Sequence, residues 1–416
     1  MDGWLCIFED DRAENLNPLA LTRPAYELRC GMSSLREKIV RVFAPNKLAL
    51  HCRSYLADVE KEVAGDAQVN SLPAGAGLFV NGRVLARPEL AKAVQAGKPA
   101  VYVQGDEVVA AWVPEDKAQA LAGKMGQPLT REDFAGLPEV EVEATLIHYP
   151  WDLVHHNGEE IEREFAERGQ GGQVLGKIYP DVTLLAKENI FVGEGAKLWP
   201  GVIIDAESGP VYIAEGAKIM ANAVIEGPTY IGPKSAIKVG AKIYEGTAIG
   251  EVCKVGGEVE ESIVHSYSNK QHEGFLGHAY LGMWVNLGAD TNNSDLKNNY
   301  ANVKVQINET LVDSGSLFVG LFMGDHSKSG INTMFNTGTV VGVACNVYGA
   351  GFPPRFIPSF HWGGPGGMIK YDFEKTLETA RRVMARRDKE LTEAQIAVLR
   401  HIYELPVPKV LDKSAK

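Results

Sequence analysis

From Ile213 to Val255 a large aliphatic residue recurs every six positions: Ile213, Ile219, Ile225, Ile231, Ile237, Ile243, Ile249 and Val255. Four positions after each stands a residue that is usually small: Ala217, Ala223, Thr229, Ser235, Ala241, Thr247, Cys253 and Val259. An ordinary strand repeats every two residues and a helix about every 3.6, so neither produces this period. A parallel β-helix of hexapeptides does, with three short strands closing a triangular coil of roughly eighteen residues around inward aliphatic side chains.

The register extends in both directions. Upstream, Ile178, Leu184 and Ile190, then Val192, Leu198 and Ile204, keep the step, and a three-residue slip at Ser208 to Pro210 joins them to the main run. Downstream a slip at Glu260 to Ser262 is followed by Ile263, Asn269, Phe275, Leu281, Leu287 and Asn293 as expected inward positions. The step returns as Val319, Asp325, Ile331, Thr337 and Val343. Between these, Asp295 to Leu317 reads as an ejected loop, a natural place for binding residues because the stack continues above and below it.

With 416 residues, 45% of them hydrophobic, the chain is long enough for two or three domains. Its net charge of -11 argues against general nucleic-acid binding, which needs a basic face. Cys6, Cys30, Cys52, Cys253 and Cys345 have neither CxxC nor framework spacing. Structural zinc and a disulfide scaffold are therefore not indicated, and a reducing, cytoplasmic setting is expected. The opening MDGWLCIFEDD turns acidic within ten residues, and no apolar run nears the ~18 residues of a membrane helix, so neither signal peptide nor membrane span is expected.

Residues 1–155 alternate apolar strands (Trp4 to Phe8, Leu48 to Cys52, Leu78 to Val80, Val101 to Val103, Val108 to Val113) with helical stretches at Ser34 to Val42 and Pro88 to Ala96. This predicts an α/β domain with a largely parallel sheet. Residues 156–174 hold a charged linker helix, Glu159 to Glu167, ended by Gly169, Gly171 and Gly172. The prism is expected over 175–350. Residues 351–416 carry a Gly/Pro-rich segment and two capping helices at about 371–388 and 392–404, the second opened by a Thr392 to Gln395 capping box.

An α/β domain, a linker helix and a hexapeptide prism in this order resemble the bifunctional family that makes UDP-N-acetylglucosamine. In that family an N-acetylglucosamine-1-phosphate uridylyltransferase is joined to a glucosamine-1-phosphate N-acetyltransferase. The chain is most similar to a bacterial branch with a shortened, divergent uridylyltransferase half. Residues 21–38, LTRPAYELRCGMSSLREK, resemble the start of that half, and residues 326–342, HSKSGINTMFNTGTVVG, resemble its distal prism. The resemblance implies a left-handed β-helix acyltransferase domain, acetyl-CoA as co-substrate, a sugar phosphate and a nucleotide as partners, and a homotrimer with acetyl-CoA sites between subunits.

Residues 269–293, NKQHEGFLGHAYLGMWVNLGADTNN, are similar to the family stretch holding a histidine base, an aromatic residue and an asparagine. The positions here are His272, Phe275 and Asn286; the family has tyrosine where this chain has Phe275, so a hydroxyl contact with the sugar phosphate is lost. The chemistry fits independently: attack of an amine on a thioester releases a proton, and an imidazole with a pKa of about 6.5 takes it near neutral pH. Lys270 is placed on the substrate phosphate and Asn286 on the sugar or acetyl carbonyl. The alternative is a solvated loop histidine. His326 and Lys328 read either as a coenzyme A contact or second acid-base pair, or as a polar ladder on the outer face of the prism.

Sugar nucleotidyltransferases usually open with a strand and a glycine-rich loop, because closely packed N–H groups must cradle phosphates. This chain has Phe8-Glu9-Asp10-Asp11-Arg12 instead, so Arg23 or Arg29 would supply positive charge. Asn81-Gly82-Arg83 stands where the family resembles Asn-Gly-Asp, and arginine cannot ligate magnesium. Retained nucleotide chemistry with Arg23, Arg29, Asn81, Gly82 and Arg83 gripping the nucleotide is one reading, with Asp10 and Asp152 as guesses for Mg2+. A degenerate half that only binds a sugar nucleotide or positions the prism is the other. A γ-type carbonic anhydrase, suggested by His265, His272 and His278, is disfavoured because zinc needs converging ligands and His272 and His278 stand one hexad apart.

Overall fold

The computed structural model describes residues 3–411. Seven strands form the N-terminal sheet in the order Gln68–Val69, Leu48–His51, Trp4–Phe8, Gly77–Asn81, Glu107–Val113, Ala100–Gln104 and Glu139–Glu141. Trp4–Phe8 pairs in parallel with both neighbours, whereas Glu107–Val113 runs antiparallel to both of its own. The five expected strands are present; the two short edge strands carry too few apolar residues to stand out. The helix Leu35–Phe43 begins with a capping box from Ser34 and Glu37, and buries Leu35 and Ile39.

Beyond the linker helix Asn157–Arg168 the chain winds into a left-handed parallel β-helix of three faces. The first face carries Leu198, Ile219, Ile237 and Val255; the second Ile204, Ile225, Ile243 and Val259; the third Ile213, Ile231, Ile249 and Val264. All of these are fully buried in one core along the axis. The upstream slip is borne out, since Ile190 pairs with Val211, three residues beyond a regular coil.

Downstream the phase differs from the expected one. Lys242 pairs with Glu258 and Lys254 with Asn269, so the coil is shortened at Gly256 and Gly257 and the inward set moves by one residue to Val264, Lys270 and Leu276. Ile263 and Phe275 therefore do not point down the axis. Leu281, Leu287 and Asn293 do lie in the buried interior as expected. After the ejected segment the inward set is Met323, Ser329, Phe335, Val341 and Val347, and Ile331 is 71% exposed. The ejected segment is itself a hairpin, Lys304–Ile307 with Thr310–Asp313, whose length re-enters the count at a different phase.

The third face turns its outer side chains, among them Tyr212, Tyr230, Tyr280 and Phe322, into the same core cluster as Leu5, Leu50 and Tyr26 of the N-terminal sheet. The linker helix lies along this seam. Lys38 Nζ reaches Glu160 at 2.8 Å and Glu164 at 2.9 Å with all three side chains buried, and Asn157 Nδ2 donates to Gly246 O at 2.6 Å. The helices Phe373–Ala385 and Glu393–Glu404 follow the prism, the second with the expected capping box. The second helix returns to the N-terminal domain, where His401 stacks on Tyr55 with ring centroids 4.1 Å apart.

Candidate functional site

A doubly wound sheet presents ligands beyond the carboxyl ends of its strands, at the point where strand order reverses. Here that crevice follows Phe8, and ion pairs fill it. Glu9, fully buried, accepts from Arg53 Nε at 3.1 Å and Nη2 at 3.0 Å, and from the Ala25 N–H at 2.9 Å. Asp10 accepts from Arg83 Nε at 2.9 Å and Nη2 at 2.5 Å, and Arg83 Nη2 also reaches Glu107 at 2.6 Å. Burial pushes the Glu107 carboxyl up, but hydrogen bonds from His148 and Arg83 outweigh it and hold the pKa at about 2.

The residues expected to grip a nucleotide are thus divided. Asn81 is buried on Asp10 and the Val108 carbonyl, and Arg83 has no exposed surface. Gly82 leaves room for Tyr26 rather than a phosphate: a Cβ there would sit 2.8 Å from the ring. Arg23 and Arg29 face the prism instead. The guessed metal ligands are also engaged elsewhere. Both oxygens of Asp10 take the Arg83 guanidinium, and Asp152 Oδ2 caps its helix by accepting from the His148 and Tyr149 N–H groups at 2.8 and 3.0 Å. A divalent cation would have to displace a built-in organic cation, so this donor set does not fit magnesium. Among the described residues no group of three or more potential ligands forms, and His265, His272 and His278 occupy three different corners.

His272 lies exposed on the turn between Asn269–Lys270 of the first face and Phe275–Gly277 of the second, and no hydrogen bond to its ring occurs among the described residues. Lys270 does not reach out beside it. Its ammonium turns into the stack and donates to Gly256 O and His272 O, both at 2.9 Å, and burial brings its pKa down to about 8. The shortened coil put this side chain inward, which corrects the expected phosphate contact. Phe275 is half-buried, its N–H donating to Asn292 Oδ1 at 2.8 Å. Asn286 bridges Asn269 and Lys328 on the outer side of the first face, and Lys328 donates to His326 O at 2.8 Å.

His326 stands at the corner joining the third face to the first. Tyr267, Trp284 and His326 take the same left-handed corner position in successive coils, with φ of 55°, 61° and 61°. Their rings stack, Tyr267 on Trp284 at 4.5 Å and Trp284 on His326 at 6.3 Å. The ladder is not legible in the sequence because the slip and the hairpin break its spacing. Burial, with smaller contributions from Lys328 and Arg23, lowers the His326 pKa to about 3, so the ring is neutral. Beside it Arg23 pairs with Asp325, which also accepts from Thr22 Oγ1 at 2.9 Å. A second pair was missed: His278 Nδ1 lies 2.9 Å from Asp295 at the corner of the second and third faces, its ring stacked on Phe318 at 5.1 Å.

Arg23, Arg29, Asp325 and His326 converge on a cavity of about 340 Å³, walled by the N-terminal domain, the ladder corner and the helix Glu393–Glu404. His272, Lys270 and Asn286 do not line it.

Residues 5–171 match the family model described as sugar nucleotidyl transferase. The chain is similar to a bifunctional sugar-1-phosphate nucleotidylyltransferase/acetyltransferase of Sulfurisphaera tokodaii, 33% identical over 146 residues, covering 34% of this chain and 35% of that protein. It is similar also to the bifunctional protein GlmU of Rippkaea orientalis, 29% identical over 164 residues, covering 38% of this chain and 30% of that one. The chain thus spans about a third of the length of these curated relatives. Among solved structures, UDP-N-acetylglucosamine acyltransferase from Campylobacter jejuni aligns with 56% of this chain and 98% of its own at 13% identity and a TM-score of 0.30.

Proposed function

We propose, from a chain whose residues 5–171 match the sugar nucleotidyl transferase family and are followed by a hexapeptide prism, that the protein is a transferase acting on sugar phosphates. The prism moves the acetyl group of acetyl-CoA onto the amine of a glucosamine-1-phosphate-like acceptor. The observation that carries this reading is the position of His272, an exposed imidazole on a coil corner whose main chain the Lys270 ammonium clamps from inside. As the amine attacks the thioester carbonyl, His272 takes the surplus proton; the C–S bond then breaks and coenzyme A leaves as the thiol. Lys270 is a positioning residue here. A homotrimer would set a neighbouring subunit opposite His272, and light scattering would then give three times the 45.2 kDa chain mass.

Release of free thiol from acetyl-CoA in the presence of glucosamine-1-phosphate tests the proposal. His272→Ala is expected to lower the rate by about 10² with an unchanged circular dichroism spectrum; a variant as active as the parent sinks the assignment. The N-terminal half is read as a nucleotidyltransferase-like domain in which the second possibility, loss of catalysis, is favoured by the Glu9–Arg53 and Asp10–Arg83 pairs in its crevice. Supplying UTP, N-acetylglucosamine-1-phosphate and magnesium distinguishes the two: pyrophosphate release means retained chemistry, its absence a remnant. No helix among the described residues is long and apolar enough to cross a membrane, and we place the enzyme in the cytoplasm with its small-molecule substrates.

A further inference from the structure

The cavity at the ladder corner has a mixed lining of apolar and charged side chains. Val59, Met283, Val398 and Leu399 line it together with Arg23, Arg29, Arg36, His326 and several carboxyl groups. Three of the carboxyl groups have partners. Asp325 is paired with Arg23 and Glu27 with Arg36, and Glu37 accepts from the Ser34 N–H in the capping box. Burial and the neighbouring Glu27 raise the pKa of Glu60, whose buried Oε1 has no hydrogen-bond partner, and Glu251 lies beside Tyr267.

The donors are not all accounted for. Arg29 has no carboxylate partner among the described residues; it donates to the Met32 carbonyl and lies over the Tyr230 ring, leaving its buried Nε without an acceptor. Arg23 is 8% exposed, and its buried Nη1 also has no acceptor. The Nδ1 of His326 is likewise buried and unmatched. Buried donors are rarely left unpaired, because each costs about 1 to 3 kcal/mol. Three unmatched nitrogens lie on residues lining one cavity, and two of them belong to guanidinium groups, whose planar fork suits phosphate oxygens. The volume of about 340 Å³ falls within the ~300 to 1,000 Å³ usual for small-molecule sites.

We propose that this cavity is a binding site for a sugar-sized phosphate monoester, its phosphate on Arg29 and Arg23, its hydroxyl groups toward His326 and Glu60, and its carbon skeleton against Met283 and Leu399. The site is separate from the His272 turn and belongs to neither half alone, since Arg29 comes from the N-terminal domain, His326 from the prism and Leu399 from the closing helix. It does not rest on acetyl transfer.

Titration calorimetry on the full chain without acetyl-CoA tests it, with N-acetylglucosamine-1-phosphate, N-acetylglucosamine and inorganic phosphate as separate probes. The expected result is saturable binding of the phosphate ester at one site per chain, at least tenfold tighter than either fragment. Arg29→Gln should weaken it tenfold or more. Met283→Trp, which fills the volume from the prism side and leaves every charged side chain of the lining in place, should abolish it while the melting temperature stays near that of the parent. No saturable binding of the ester, or equal binding by the parent and both folded variants, overturns the proposal. Thiol release measured on the same variants keeps the two proposals apart, because a cavity without ligand and an active His272 are compatible results.

Discussion

Arg83 shows how one residue decides what a sheet edge can do. Its guanidinium joins Asp10, Glu107 and the Ile147 carbonyl with no solvent access, so removing it leaves two carboxylates facing each other at a buried site. Arg83→Ala is expected to destabilise the protein by about 3 to 5 kcal/mol, measurable by urea unfolding; a loss under 1 kcal/mol would mean that the network is solvated. Glu164 gives a pH-dependent counterpart. Burial raises its pKa, but Lys38, Ser33 and Arg41 outweigh that and hold it at about 2. A carboxyl depressed in the folded state contributes stability above its unfolded pKa of ~4.3 and loses that contribution as pH falls toward 2. The stability gap between the parent and Glu164→Gln should therefore be largest near pH 7 and shrink through pH 4 to 3. A gap that stays constant with pH contradicts the assignment.

At the level of elements, the sequence made the regular part of the prism legible, because Ile213 to Val255 repeats without interruption. Phase was lost where the repeat was cut. Shortening at Gly256 and Gly257 reversed the roles of Ile263 and Val264, and the hairpin did the same for Ile331 and Phe335. The linker helix was readable from its terminal glycines and the second closing helix from its Thr392 to Gln395 capping box. The stretch proposed to carry acetyl transfer was readable as far as His272, whereas the direction of Lys270 and the meeting of Arg23 with Asp325 depend on packing between distant segments, which no local pattern carries. The corrected phase is testable: Phe335→Ala should cost about 3 to 5 kcal/mol, and Ile331→Ser less than about 0.5. The reverse ranking would restore the original register. Ile237→Asp, in the uninterrupted run, should unfold the stack, since an unpaired buried carboxylate adds several kcal/mol to about 2 to 3 lost from apolar burial. A folded variant by circular dichroism would contradict the inward placement.

The whole molecule is organised by one shared seam. Outer side chains of the third face complete the core of the N-terminal domain, so a fragment of residues 3–171 would strip Trp151 of Phe322, whose ring lies 6.2 Å from its own, and the Arg29 N–H of the Tyr280 hydroxyl. That fragment is expected to aggregate or to melt well below the full chain; equal melting temperatures would show that the seam contributes little.

The closing helix sharpens this. By stacking His401 on Tyr55, and with the hairpin's Asn308 donating to the Glu14 carbonyl at 3.0 Å, late segments of the chain hold early ones in place. Such a molecule is a buckled strap: heat cannot loosen one end while the other stays fastened. Calorimetry should record a single endotherm whose van't Hoff and calorimetric enthalpies agree, behaviour ordinarily confined to much smaller proteins.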